Sequence, residues 1–192
     1  MNKEDIFFTS DHHFGHKNII KYSKRPFEDV DHMTEELIRM WNEKVPPKAN
    51  VFHLGDLFLC DRYKAMKILN RLNGKIHHII GNHDKWHRNA ELKERCIWNK
   101  HYYELSVHDE DALRGNKQKI VLMHYAMRVW NKSHHGNWQL YGHSHGSLPD
   151  DPNAKAFDVG VDCHNYAPIS YNEVKKIMST KEFISVDHHG RD

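Results

Sequence analysis

Cysteine is scarce in this sequence, and with it most of what would tie the chain to an oxidising compartment. The three cysteines, Cys60, Cys96 and Cys163, are odd in number and far apart, and no two have C-x-x-C spacing. That argues against a disulfide framework and against a thiolate zinc site, and it fits a reducing compartment. Long apolar runs are missing as well. The longest, around Ile6–Phe8 and Ile120–Met123, are strand-sized and far short of a membrane span. No leader is expected, because the charged start Met1-Asn2-Lys3-Glu4-Asp5 goes straight into the first apolar run. The expectation is a cytoplasmic protein that does not engage a membrane.

Charge of one sign is lacking too: 28 Lys and Arg stand against 26 Asp and Glu, a net charge of +2. So balanced a chain does not advertise nucleic-acid binding. No stretch rich in Pro, Gly or Ser marks a linker, so residues 1–192 read as one domain with a charged tail at 187–192. Histidine is what the chain has in excess, with 19 residues. Pairs such as His188-His189 in the tail carry no pattern, so the question is whether a subset sits where metal chemistry needs it.

The run Ile6-Phe7-Phe8-Thr9-Ser10 reads as a buried strand that delivers Asp11 at its end. Asp31 to Val45 reads as a helix capped by Asp31, with Met33, Leu37, Met40 and Trp41 at helical spacing and Pro46-Pro47 as its stop. Val51 to Leu54 is a second strand. A helix follows from Asp61 as N-cap, with Ala65, Ile68, Leu69 and Leu72 as its stripe and Gly74 as its end. Lys75 to Ile80, Tyr102 to His108, Lys119 to Met123, Trp138 to Tyr141 and Ala156 to Val161 read as further strands. Ser170 and Glu173 fit a capping box that opens a last helix through Met178.

One pattern recurs. A short apolar run passes at once into a loop of Gly, Asp, Asn or His, at Asp11, Asp56, Asn82, His124 and His143. Ligand sites gather at the carboxyl ends of strands, where loops converge. Each piece alone also fits an ordinary turn, but His143 and His145, two apart on an extended segment, face one pocket together.

Taken in order, Asp11-x-His13, Gly55-Asp56, Gly81-Asn82-His83-Asp84, His124 and Gly142-His143-x-His145 resemble the signature of the calcineurin-like metallophosphoesterase superfamily. All of its blocks lie between residues 11 and 145. The segment Phe14-Gly15-His16-Lys17-Asn18-Ile19-Ile20 with Arg25-Pro26-Phe27 is similar to the small single-domain phosphoesterases of bacteria and phages.

The resemblance implies an α/β fold, a two-sheet β-sandwich flanked by helices, with a dimetal site at the strand-end loops. It implies that Asp11, His13 and His145 hold one divalent cation, that Asn82, His124 and His143 hold another, and that Asp56 bridges them. With mixed oxygen and nitrogen donors and no sulfur, the cations are transition metals: Mn2+ by the family's habit, with Fe, Ni or Zn as the alternatives. The implied activity is hydrolysis of a phosphate ester by a metal-bound hydroxide, with phosphodiesters favoured over monoesters and a small or nucleotide-derived substrate. His83 takes the role of acid toward the leaving group, and Asp84 that of its orienting carboxylate.

Arg128, Arg25 and His16 are the candidates for substrate binding, with Arg62, Tyr22, Trp86 and Trp130 as further cations and aromatics near the loops. Where relatives carry a further acid or Arg just after the Gly-Asp block, this chain has Leu57-Phe58-Leu59-Cys60. Two other readings are a nuclease acting on DNA or RNA ends, which calls for a basic groove, and a non-catalytic protein-binding scaffold, which calls for lost ligands.

Overall fold

The computed structural model describes residues 1, 3–112 and 115–187. The charged tail expected at 187–192 therefore lies, apart from Asp187, outside the described residues. The strands in chain order are β1 (Ile6–Thr9), β2 (Asn50–His53), β3 (Lys75–Ile79), β4 (Trp98–Lys100), β5 (Tyr102–His108), β6 (Lys117–Met123), β7 (Trp138–Tyr141), β8 (Ala156–Asp158) and β9 (Ile169–Ser170). The helices are α1 (Ile19–Tyr22), α2 (Val30–Lys44), α3 (Arg62–Leu69), α4 (Ala90–Glu94) and α5 (Tyr171–Ser179).

Two mixed sheets result. One has the order β4-β3-β2-β1-β9, parallel except for the antiparallel β9. The other has the order β5-β6-β7-β8, in which β5 and β6 are antiparallel and the rest parallel. The pleat explains the unbroken apolar run of β1. Ile6 and Phe8 point towards the second sheet, among Phe52, Leu54, Ile79, Leu105, Ile120, Leu122 and Leu140. Phe7 points the other way, to a cluster with Val51, Ile76 and the apolar stripes of α2 and α3. A strand covered on both faces needs apolar residues at every position. The outer face of the second sheet carries Val121, Tyr141 and Ala156 beneath Trp130 and Phe183.

The helix ends differ from expectation in two places. Asp29, not Asp31, caps α2, its carboxylate accepting from the Asp31 and His32 N–H groups at 2.9 and 2.8 Å. Asp29 has the extended backbone that a cap requires, and Asp31 sits in the first turn, where its charge complements the helix dipole. Helix α3 starts at its Asp61 cap as expected but ends at Leu69 rather than running on to Gly74. At φ +91°, Gly74 serves instead the turn into β3, where a Cβ would press on Val51 and Ala49. The capping box of Ser170 and Glu173 opens α5 as read from the sequence. Strand β8 stops at Asp158, short of the expected Val161, because the chain then crosses to pair Gly160 with Ser10.

That crossing is one of several ties between the two sheets at a single edge. The Val161 N–H donates to Ser10 O at 3.1 Å, and His124 Nδ1 lies 2.8 Å from Leu54 O. The carboxyl ends of β1, β2, β3, β6 and β7 thus meet there. Among the described residues no helix is long and apolar enough to cross a membrane.

Packing between the sheets is the main source of stability in this architecture. Leu122→Ala, at a fully buried inner position, is expected to cost about 2–5 kcal/mol. Ile97→Ala, at a position 58% exposed, should stay within about 0.5 kcal/mol of the parent. Urea denaturation of both variants checks this, and equal effects would contradict the assigned inner face.

Candidate metal centre

Five residues at the shared edge hold an unusual backbone. Asp11, His13, Asp56, His143 and His145 have φ of 58°, 51°, 57°, 70° and 48°, in the left-handed region that non-glycine residues rarely adopt. Each such position costs on the order of 1–3 kcal/mol, and such strain gathers at functional sites. Here it turns each side chain from its strand end into one pocket.

The side chains form two groups. Asp11, His13 and His145 each offer a ligand atom within 4.8 Å of the others, and Asp56, His124 and His143 do the same. The Asp56 carboxylate stands between the groups: its Oδ2 is 3.6 Å from His13 Nε2 and 3.5 Å from His124 Nε2, and its Oδ1 accepts the His83 N–H at 2.8 Å. Asn82 joins the second group, with Oδ1 3.0 Å from His124 Nε2. All seven residues singled out from the sequence as metal ligands are therefore brought together.

The donor atoms are aimed and unspent. Asp11 Oδ1 and both ring nitrogens of His13 are buried without a hydrogen-bond partner among the described residues, a costly state unless something else binds them. His124 donates through Nδ1 to Leu54 O and His145 through Nδ1 to Asp162 Oδ2 at 2.7 Å, so each turns its Nε2 to the pocket. Asp11 Oδ2 is held by Ser10 Oγ at 2.6 Å and by the His143 N–H at 2.8 Å. Gly142 allows this approach, since a Cβ there would overlap Ser10 Oγ and Asp11 Oδ2.

The charges ask for a cation. Burial pushes the Asp11 carboxyl up to about 7. Burial also works against charge on His124, yet the neighbouring Asp56 and Asp11 outweigh it and lift the imidazole to about 8. Burial holds His13 neutral, down to about 3, in the form that binds metals. Buried carboxylates that recruit protons in this way are short of positive charge, and a divalent ion at each group would supply it. By donor set and direction, the residues fit two divalent cations.

Two expected roles need correction. Asp84 does not orient His83. Its buried carboxylate accepts the N–H groups of Asp56, Leu57 and Gly81 at 2.7, 2.9 and 2.8 Å and the Trp86 indole at 2.6 Å, with His78 Nε2 3.0 Å away. Burial opposes its ionisation, but His78 and these donors hold it well below the usual carboxylate range. Arg25 does not face substrate. It is buried, forks onto Asp162 with both contacts at 2.8 Å, and donates to the Asp11 and His12 carbonyls at 2.7 and 2.9 Å.

The remaining candidates divide between the rim of the pocket and the protein interior. His83 is exposed at the rim, its ring centroid 5.5 Å from that of His13. His16 is half-buried, 5.5 Å from the same ring, with the exposed Tyr22 edge-on to it. Trp86 and Trp130 are buried structural residues, the latter donating to Asn137 O at 2.8 Å. Arg128 is exposed and lines a cavity of about 420 Å3 with Met127, Leu148, Phe183 and others, to which none of the ligand residues contributes.

Two residues at the centre escaped the sequence reading. Asp162 orients His145 and comes directly after the strand expected over Ala156 to Val161, so the recurring strand-end pattern could have flagged it. Tyr125 lies 4.7 Å from the His143 ring with its hydroxyl 3.4 Å from Asn82 Oδ1, and adjacency to His124 was its only signal.

No family model matches the chain. The uncharacterized protein MJ1445 of Methanocaldococcus jannaschii is 34% identical over 185 residues, covering 93% of this chain and 93% of that protein. The Gene 66 protein of Mycobacterium phage D29 is 27% identical over 200 residues, covering 93% of this chain and 98% of its own length. Among solved structures, the protein of unknown function AQ665 from Aquifex aeolicus shares the fold, with a TM-score of 0.64 at 20% identity over 90% of this chain and 98% of that one.

The role of Arg25 has a direct test. Arg25→Ala takes both guanidinium contacts from the buried Asp162 carboxylate and the partner from two carbonyls, and is expected to cost about 3–5 kcal/mol in chemical denaturation. A variant as stable as the parent would return Arg25 to the list of substrate contacts.

Proposed function

We propose that this chain, which belongs to the same family as the Methanocaldococcus jannaschii protein, is a dimetal phosphoesterase acting on a small or nucleotide-derived phosphodiester. The observation that carries the reading is the Asp56 carboxylate, which has one oxygen within 3.6 Å of an imidazole from each ligand group. A carboxylate shared in this way suits a pair of neighbouring cations. It agrees with the resemblance to the calcineurin-like metallophosphoesterases carried by the five motif blocks.

In this reading Asp11, His13 and His145 hold one cation, Asn82, His124 and His143 the other, and Asp56 both. Two divalent cations supply water activated at neutral pH and a positive field for the phosphate. Four imidazoles and an amide leave that field largely intact, because only the carboxylates of Asp11 and Asp56 offset it. The imidazole-rich set suits Mn2+, Fe, Ni or Zn better than Mg2+.

The chain's own residues supply the rest. Asp162 and the Leu54 carbonyl accept from Nδ1 of His145 and His124, so Nε2 is the atom each ring would offer to a cation. The His83 N–H on Asp56 Oδ1 sets the loop, and its exposed ring is free to give a proton to the leaving oxygen. His16 and Tyr22 flank the same rim, where the ester groups would lie.

The test uses protein stripped by chelator, with Mn2+, Ni2+, Zn2+ or Mg2+ added back singly. Bis-p-nitrophenyl phosphate should be hydrolysed faster than p-nitrophenyl phosphate, and only with metal. Asp56→Asn should lose metal at both positions. His83→Ala should bind two ions per chain yet turn over about 10²-fold more slowly. Two bound ions with neither ester hydrolysed would sink the phosphoesterase reading while leaving the metal centre in place.

A further inference from the structure

A second charged feature lies away from the metal centre. Lys117, Lys119, Lys132 and His135, with Gln118, Asn137, Gly115 and Gly136, line an open cavity of about 470 Å3. Lys117 and Lys119 stand two apart on β6 and so share a face, the one that Val121 continues on the outside of the second sheet. Lys119 is five residues from His124 along the strand, which at roughly 3.4 Å per residue sets the cavity about 17 Å from the metal edge.

The third lysine comes from the loop that crosses this face, and its backbone is strained. Lys132 has φ 58°, a left-handed position where Gly or Asn would be expected, and Gly136 at φ 84° closes the turn. The loop is fastened to the strand below: the buried Gln118 donates Nε2–H to the carbonyls of Lys119 and Gly136 at 2.9 and 3.1 Å. Trp130 and Asn137 tie its two ends through Trp130 Nε1 to Asn137 O and Asn137 Nδ2 to Asn131 O, at 2.8 and 2.9 Å. Glu104, held below the usual carboxylate range by Tyr102 first and also by Asn131, Lys119 and Lys132, stays an anion near two of these lysines but is not among the residues that line the cavity. Among the described residues no acidic one lines the cavity. The cavity thus takes three lysines from two segments, β6 and the crossing loop, the latter at a cost in backbone strain.

We propose that this cavity is an anion site for a ligand carrying several phosphate groups, separate from the metal centre and independent of its function. Ammonium groups are donors only and act as point charges towards phosphate oxygens. Three of them across one cleft call for more than one phosphate. The shared chemistry belongs both to the polyphosphate chain of a small molecule and to the phosphodiester backbone of a single-stranded nucleic acid.

The experiment is calorimetric titration of the full chain, in chelator so that the metal centre does not compete for phosphate. The ligands are tripolyphosphate and a ten-residue oligothymidylate. Lys119→Gln/Lys132→Gln should weaken binding at least tenfold, while Lys67→Gln/Lys93→Gln, which removes equal charge elsewhere, should leave it within twofold. If only tripolyphosphate responds, the ligand is a small polyphosphate. If the oligonucleotide responds, with a salt dependence that falls by about one unit of slope per lysine removed, the ligand is a nucleic-acid backbone. Equal losses in the two double variants, or none in the first, would overturn the site.

Discussion

Everything at the edge shared by the two sheets is arranged around the burial of one carboxylate, Asp11. An acid at the end of a covered strand loses its hydration, and its proton affinity rises accordingly. The fold answers one oxygen with Ser10 Oγ and the His143 N–H, and leaves the other to face His13 and His145. The first contact fixes where the loop after β7 must run. Gly142 can carry no side chain for the same reason, since the loop passes directly over that oxygen. The strained backbones of His143 and His145 follow from having to reach back to a carboxylate that cannot move.

Two further buried charges fasten the loops without facing the pocket. Asp84 gathers N–H groups from the loops after β2 and β3, so the Asp56 and Asn82 segments are held by one side chain. Arg25 does the complementary work on carbonyls, joining Asp11 and His12 to Asp162, which in turn sets the ring of His145. Behind them, His53 accepts the Gly55 N–H and offers its other nitrogen to His12, a neutral pair in the dry interior that burial keeps far from protonation. Charge is admitted to this interior only where a counter-group or a dense set of donors meets it. Without such fastening, strained loops would relax towards commoner backbone geometry.

The frame and the convergence of the candidate ligands were legible in the sequence because both are written in local pattern. Apolar runs of strand length marked β1, β2, β3, β6 and β7, and the polar residues that follow these runs are the ones the fold brings together. What escaped depends on direction, which sequence spacing does not encode. Asp84 follows His83 and looked like its partner, but the turn sends neighbouring side chains opposite ways, one inward to backbone donors and one out to the rim. Arg25 reads as a substrate contact because it is a cation near the motif loops, and nothing in local spacing points to its partner Asp162, 137 residues away. Asp29 and Asp31 both suit a cap, and the extended backbone at Asp29 decides between them. The two-sheet sandwich came from the resemblance, since periodicity alone gave only alternating strands and helices.

Each ligand group draws on both sheets. Asp11 and His13 follow β1 of the first sheet while His145 follows β7 of the second, and Asp56 follows β2 while His124 and His143 follow β6 and β7. Neither group exists until the sheets have packed, so the ligand geometry is a product of the intersheet core rather than of any one loop. The coupling also runs the other way. A cation bound by three groups from two sheets binds the folded chain and not the unfolded one, and by mass action it adds to folding stability. The strain at five left-handed positions and the unpaired Asp11 and His13 atoms are costs that the apolar core must cover when the centre is empty. That is the division the proposed dimetal centre requires: the core carries the fold, and the edge trades stability for donors already in place.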